Sequence, residues 1–476
     1  MVKGWSDRYL TLYGLVMLAV VLGPPVAGAL GGLARPADPV RLSAVLALLC
    51  AAFAGYLGLA RKFGPMVVPA ADAAWRLLSP LPRRLVLGRG ALRLAIVGVL
   101  AGLVIGVALA SVLGGGGEPL VRLGAALVIG VGLGLGGMAL AVLGQSGPTW
   151  DGWLQAVIAA AVLAAVLVAL FGAGPGRPLL AALTTAPAAV AGLVAAAGAV
   201  LVRQAWTALD KVPARAILAS STRAGTVAEA TTMLDPAVLT WAAEDAHWRG
   251  RVLGTRRWPV RGAWVLAWQE IRRASRRPVF MGALAGATAL PALAWRAELP
   301  VAAFALLLGG ALTAAASMVA GARRDGGNPA LLRLLGVGPG VARAVRALPP
   351  AVAGGVWLGV ALAVLEASGA SGGGLWALGV ACGPALGAAA LRMAGRRPID
   401  HAMPVLDVGG PIPTGALMWA LAGADLALLG CAPTLLALAA PEAVTGAGPW
   451  LATQVITGVV VLGGYLAARS FRAAWR

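Results

Sequence analysis

The 476-residue chain is 60% apolar and only 12% charged, with a formal net charge of +20. Soluble domains carry roughly 25% charged residues, so a single aqueous globule cannot bury this much apolar surface and the bilayer has to act as solvent. Ala, Gly, Leu and Val supply most of the hydrophobicity, a composition that suits close helix packing in lipid.

The expected fold is all-α: a polytopic membrane protein of about twelve transmembrane helices, arranged as two parallel six-helix repeats. The first apolar run, 10–33, follows Lys3 and Arg8 and ends near Ala27-Gly28-Ala29, the outline of a signal peptide. It is too long for a typical signal core, and removing it would invert the charge pattern downstream, so it reads as the first span. Further spans follow at 40–60, 93–114, 121–144, 152–173 and 178–202, completing a first half over 1–202.

Between the second and third spans lies an arginine-studded loop, Trp75-Arg76-Leu77-Leu78-Ser79-Pro80-Leu81-Pro82-Arg83-Arg84. A central segment, 203–277, is the longest polar stretch and ends in Trp264-Val265-Leu266-Ala267-Trp268-Gln269-Glu270-Ile271-Arg272-Arg273. Trp264, Trp268 and Ile271 fall on one helical face, with Gln269, Glu270, Arg272, Arg273, Arg276 and Arg277 over the remainder. The pattern predicts an amphipathic helix lying in the membrane interface, either a plain anchor or an elbow leading into the second half. Trp5-Ser6-Asp7-Arg8 is a truncated counterpart before the first span.

The second half, 278–476, carries spans at 278–295, 299–321, 347–366, 373–394, 424–440 and 447–468. Its own loop, Leu332-Arg333-Leu334-Leu335-Gly336-Val337-Gly338-Pro339, repeats the first at an offset of 257, matching Arg76 with Arg333 and Pro82 with Pro339. Pro404, Pro411, Pro413 and Gly409-Gly410 punctuate the approach to a short interfacial or re-entrant segment, 413–423. Asp425, the one acid inside an apolar stretch, either marks the start of the eleventh span or faces a polar pathway as a possible intramembrane site.

Charge fixes the orientation. Placing the N-terminus inside puts Arg35, Arg41, Arg122, Arg177 and Arg296 on one face and the other 33 of 38 basic residues on the opposite face. Positive residues favour the cytoplasm, so both termini lie inside. The outer face also holds Asp38, Glu118, Glu298, Glu366 and Glu442. The basic excess is therefore a topology signal, reinforced by anionic lipid, and not the footprint of a nucleic-acid partner.

Motifs for chemistry fail on context. The three lysines, Lys3, Lys62 and Lys211, sit in no GxxxxGK[ST], so the chain has no P-loop for a nucleotide. Cys50, Cys382 and Cys431 are far apart in apolar runs and read as small buried hydrophobes, not as metal ligands. Gly369-Ala370-Ser371-Gly372-Gly373 reads as a flexible outer loop. Gly144-Gln145-Ser146-Gly147 resembles an intramembrane protease motif, but His247 and His401 both map to cytoplasmic segments. Gly132-x-Gly134-x-x-Gly137 lies inside a span, where glycines serve helix packing. His401 between Asp400 and Asp407 is a weak metal signal. No enzymatic activity, metal or cofactor is expected.

The stretches Ala73-Ala74-Trp75 to Arg84 and Asn328-Pro329-Ala330 to Leu335 resemble the first cytoplasmic loop of ABC-2-type exporter permeases of actinomycetes. Thr232-Met233-Leu234-Asp235 and the Arg272-Arg273 to Pro278 cluster look like the central segment of a fused, uncharacterised twelve-span permease-like family of those bacteria. The resemblance implies an exporter permease subunit in a bacterial plasma membrane, docked by two copies of a separate ATPase and moving an unknown substrate. Its coupling elements would be the loops around 74–93 and 330–346, with Arg76, Ser79, Pro80, Pro82, Arg83 and Arg84 in the first and Arg333, Gly336 and Pro339 in the second. Gly338-Pro339-Gly340 replaces Leu81-Pro82-Arg83, so the two docking sites are expected to be unequal. The alternatives are a secondary transporter with parallel repeats, resting on Asp425 and Glu366, and a non-transporting membrane scaffold.

Overall fold

The computed structural model describes residues 38–68, 82–113, 119–178, 180, 187–221, 259–327, 334, 336–369, 373–396, 405–407, 411–413, 418–419, 421–439 and 447–474. The chain divides into two compact units, Met1–His247 and Trp248–Arg476. Among the described residues eight helices are long and apolar enough to cross a membrane, or nine if one bent pair counts as a single span. The protein is a helical, multi-pass membrane protein. The expected first span, 10–33, lies outside the described residues.

The first unit holds α1 (Pro39–Phe63), α2 (Arg83–Ala110), α3 (Pro119–Ser146), α4 (Pro148–Phe171) and α5 (Pro187–Ala208). Asp38 starts α1: its carboxylate accepts from the amides of Val40 and Arg41, and Pro39 supplies a first-turn residue with no amide to satisfy. Gly64, at φ 76°, ends it by returning its amide to the Ala60 carbonyl. The helix α2 begins ten residues before the expected third span, at Arg83 instead of residue 93, so its first turns carry the arginines of the loop.

The helix α3 is the hub, packed against each of the other four. The three glycines of the dinucleotide-like pattern face three different neighbours. Gly132 meets Val194 of α5, Gly134 meets Gly98 and Gly102 of α2, and Gly137 meets Phe53, Tyr56 and Leu57 of α1. A Cβ on Gly102 would lie 2.6 Å from the Gly130 carbonyl oxygen, so the backbones of α2 and α3 touch. With no hydrophobic drive between helices in lipid, this close approach is what holds them together.

The second unit begins with the short helix α6 (Trp264–Ser275), followed by α7 (Pro278–Gly286), a 3-10 turn and α8 (Leu290–Arg296), which together form the expected seventh span. Then come α9 (Pro300–Ala316), a shorter apolar helix, α10 (Ala320–Gly327) and α11 (Pro339–Ala367). The expected tenth span is two helices, α12 (Leu375–Ala381) and α13 (Gly383–Ala394), bent by 40°. The expected eleventh is likewise divided, into α14 (Ala424–Gly430) and α15 (Ala432–Ala439), and α16 (Ala447–Ala474) closes the chain. Between α13 and α14 two three-residue strands, β1 (Val405–Asp407) and β2 (Pro411–Pro413), pair antiparallel, with Leu406 opposite Ile412.

Both breaks carry a cysteine, a small residue and a proline, Cys382-Gly383-Pro384 and Cys431-Ala432-Pro433. Each proline removes an amide the helix needs and obstructs the preceding turn. At the second break Gln454 of α16 repairs the loss. Its amide nitrogen donates to the Gly430 carbonyl at 2.6 Å, and its oxygen accepts from the Thr434 amide at 3.2 Å and hydroxyl at 2.9 Å. Gln454 and Thr434 are fully buried, where an unsatisfied backbone group would be costly.

Candidate functional site

The repeated loop lies outside the described residues over 69–81, taking Arg76, Ser79 and Pro80 with it, but both its stems are visible. On the incoming side the Met66 amide donates to Gln145 Oε1 at 2.9 Å, and Ser220 Oγ donates to the Met66 carbonyl at 2.6 Å. Ser221 Oγ accepts from the Val68 amide at 3.2 Å. Met66, Ser220 and Ser221 are all buried. On the outgoing side Pro82 precedes α2, and the Asp210 carboxylate accepts from the Arg84 amide at 3.1 Å and pairs with Arg84 Nε at 2.5 Å. Arg84 also donates to the Thr207 carbonyl at 3.3 Å, and the Arg83 guanidinium donates to the carbonyl of Val212. Asp210 thus meets an otherwise orphaned amide at the N-terminus of α2, where negative charge is favoured. Both ends of the loop are fastened to one stretch, 207–221. Arg83 and Arg84, expected as contacts for a partner, already bind their own chain.

This stem also explains Gly144-Gln145-Ser146-Gly147. Gln145 holds the incoming strand, and Ser146 Oγ donates to the Leu143 carbonyl at 2.6 Å within its own helix. Nothing in that arrangement activates the hydroxyl. His247 and His401 lie outside the described residues, as do Ser371 and 232–235.

The second loop joins α10 to α11, and Arg333 within it lies outside the described residues. Leu334 is exposed, Gly336 takes φ 66°, and Pro339 opens α11 behind Gly338. Two turns into α11, Arg346 enters a buried ion cluster. Its Nη1 donates to Glu270 Oε1 at 2.9 Å, and its Nε lies 2.6 Å from Asp325 Oδ2. Glu270 Oε1 also accepts from the Gly321 amide at 2.6 Å. Glu270 and Arg346 are 2% and 5% exposed, which places the pair beyond solvent screening. A Cβ on Gly321 would overlap both the Arg346 guanidinium and the Glu270 carboxylate, so glycine is what admits the pair. The cluster ties α6 to α10 and α11, the two helices that flank the loop.

Residues 264–275 form the expected helix, α6, with Trp264 and Ile271 exposed and Trp268, Arg272 and Arg273 half-buried. One assignment is corrected: Glu270 belongs not to a solvated polar face but to the buried stripe with Leu266, Ala267 and Ala274. Periodicity places Glu270 opposite the tryptophans; only the partner, 76 residues away, tells whether that side meets water or protein.

Asp425 sits in the first turn of α14, accepts from the Gly423 and Leu426 amides at 2.8 Å each, and pairs with Arg392 at 2.7 Å. Its carboxylate is committed to a helix start and a cation. Glu366 likewise accepts from the Gly374 amide. Gln454 and Arg346 went unread in the sequence; for Gln454 a glutamine in the last apolar run and the twin Cys-small-Pro triplets were the available signals.

Among the described residues no cluster of three metal-ligating side chains occurs. Residues 38–404 match the DUF6297 family, a family of unknown function. No curated protein and no solved structure matches the chain.

Proposed function

The chain belongs to the DUF6297 family, which prescribes no activity, and we propose that it is the membrane-spanning permease subunit of an ATP-driven exporter, energised by a separate ATPase. In this reading the chain has twelve spans in two parallel six-span halves, 1–202 and 278–476, joined by the central segment 203–277. Both termini face the cytoplasm across a bacterial plasma membrane. Two copies of the ATPase dock on the repeated loops, and the permease itself catalyses nothing.

One observation carries the reading. In each unit both flanks of the repeated loop are fastened to helices, through Gln145, Ser220 and Asp210 in the first and through Glu270, Asp325 and Arg346 in the second. A docking element has to be rigid at its base if a partner's motion is to reach the spans, and buried or charge-assisted contacts supply that rigidity. A secondary transporter is less well supported, because Asp425 is engaged by Arg392 and two backbone amides.

The test is cross-linking from Ser79→Cys and Gly336→Cys in native membranes, with adducts identified by mass spectrometry. An ATPase recovered from both positions is the expected result. Transport by the purified chain alone in proteoliposomes, or adducts at both loops that contain no ATPase, would overturn the proposal. An ATPase at one loop only would retain the exporter and reject symmetric docking.

A further inference from the structure

The two helix breaks of the second unit meet. Cys382 sits between α12 and α13, Cys431 sits between α14 and α15, and α13 packs against α14. A Cβ on Gly430, the residue before Cys431, would overlap the Ala385 methyl, so the two backbones approach closely at this level. The thiols of Cys431 and Cys382 are in hydrogen-bonding contact with each other. Cys382 Sγ also lies 3.3 Å from Thr434 Oγ1. Both cysteines are unbridged and buried, in one apolar cluster with Leu378, Leu386 and Leu438.

The hydrogen bonds around the pair fix how its neighbours are presented. The Thr434 hydroxyl donates to Gln454 Oε1 at 2.9 Å, so it turns lone pairs, not a proton, toward Cys382. Gln454 is itself held by the Gly430 carbonyl and the Thr434 amide. Two sulfurs and one oriented hydroxyl oxygen therefore converge where two helices are interrupted side by side. Paired interruptions inside a membrane bundle are where ions can be bound, because donors there are released from the regular helix ladder.

The donor set selects the ion. Thiol sulfur is soft and favours soft metals. Zinc takes a full tetrahedral shell and calcium or magnesium an oxygen cage, and among the described residues no third metal-ligating side chain joins the pair. An apolar core also resists added charge. A monovalent ion that displaces one thiol proton leaves the charge of the site unchanged. We propose that Cys382 and Cys431 form a binding site for a soft monovalent metal ion of the Cu(I) or Ag(I) class. The ion bonds both sulfurs, beside the Thr434 hydroxyl. One S–H bond breaks, its proton leaves to water, and no electron is transferred. The second unit supplies the whole site, which stands whether or not the chain is an exporter subunit.

The experiment uses the full-length C50A chain in detergent, in which the pair is the only source of thiols. Silver ion is the probe, because it binds without a change of oxidation state, and excess glutathione is the competitor. Native mass spectrometry should show one Ag⁺ retained per chain and no Zn²⁺ under the same conditions. C50A/C382S and C50A/C431S should each bind Ag⁺ more weakly by about 100-fold or more, beyond the effect of an outer-shell change at a metal site. Ag⁺ should also raise the unfolding midpoint of C50A and leave that of either double variant unchanged. No retained Ag⁺ in C50A, retention of Zn²⁺ in its place, undiminished binding in a single-thiol variant, or a purified wild type with the two thiols joined as a disulfide would overturn the proposal. If a serine variant fails to fold, the stoichiometry and zinc discrimination of C50A still decide the outcome.

Discussion

The two loop stems do the same job with opposite chemistry. In the first unit the outgoing stem is held by Arg84 and Asp210, both about 40% exposed, while the buried serines on the incoming side hold only backbone. In the second unit the charges themselves are buried, and Arg346 is enclosed by Glu270 and Asp325. Water competes for an exposed pair and weakens it, whereas a buried pair is strong but exacting, because removing one partner strands the other. The first stem is therefore built to yield and the second to hold. Such an asymmetry suits a protein whose two loops differ in sequence.

The comparison is broken most directly at Arg346. R346A leaves Glu270 buried without its cation and should destabilise the second unit by about 3–5 kcal/mol, seen as a lowered midpoint in denaturant-titrated detergent micelles. E270Q/R346M should recover much of that loss; strict additivity of the two changes would show that the pair is not coupled. Next in size is G321A, whose methyl overlaps both members of the pair and should cost about 1–3 kcal/mol by overpacking. Full wild-type stability in G321A would mean that α10 is not held as described.

In the first unit S220A removes the donor to the buried Met66 carbonyl and should cost about 1 kcal/mol, with faster amide exchange over 64–68 as the local readout. The smallest effect belongs to R84A and D210A. Each should cost at most about 1 kcal/mol, and less in high salt, which screens exposed charges. A loss at Arg84 as large as that at Arg346, or one insensitive to salt, would erase the contrast between the stems.

Much of this was legible beforehand because lipid imposes a coarse code. Long apolar runs must be helices, and those over 40–60, 121–144 and 152–173 match α1, α3 and α4 closely. The amphipathic stretch from Trp264 was legible by period alone, and the cost of a carboxylate at mid-span made a helix start one of the two readings of Asp425. The divided helices were less so. Hydropathy averages across Cys382-Gly383-Pro384 and Cys431-Ala432-Pro433 and reads one run where the backbone makes two.

What the sequence determined by itself is the solvent, the helical class and the positions of most long helices, because these depend on local composition summed over some twenty residues. What only the tertiary structure decided is which polar groups meet. That Glu270 is buried, that Arg84 binds Asp210, that Gln454 repairs a broken helix and that Gly132, Gly134 and Gly137 face three different helices are all properties of pairs far apart in the chain. Helical period gives the direction in which a side chain leaves its helix, but only packing determines whether it finds lipid, water or a partner.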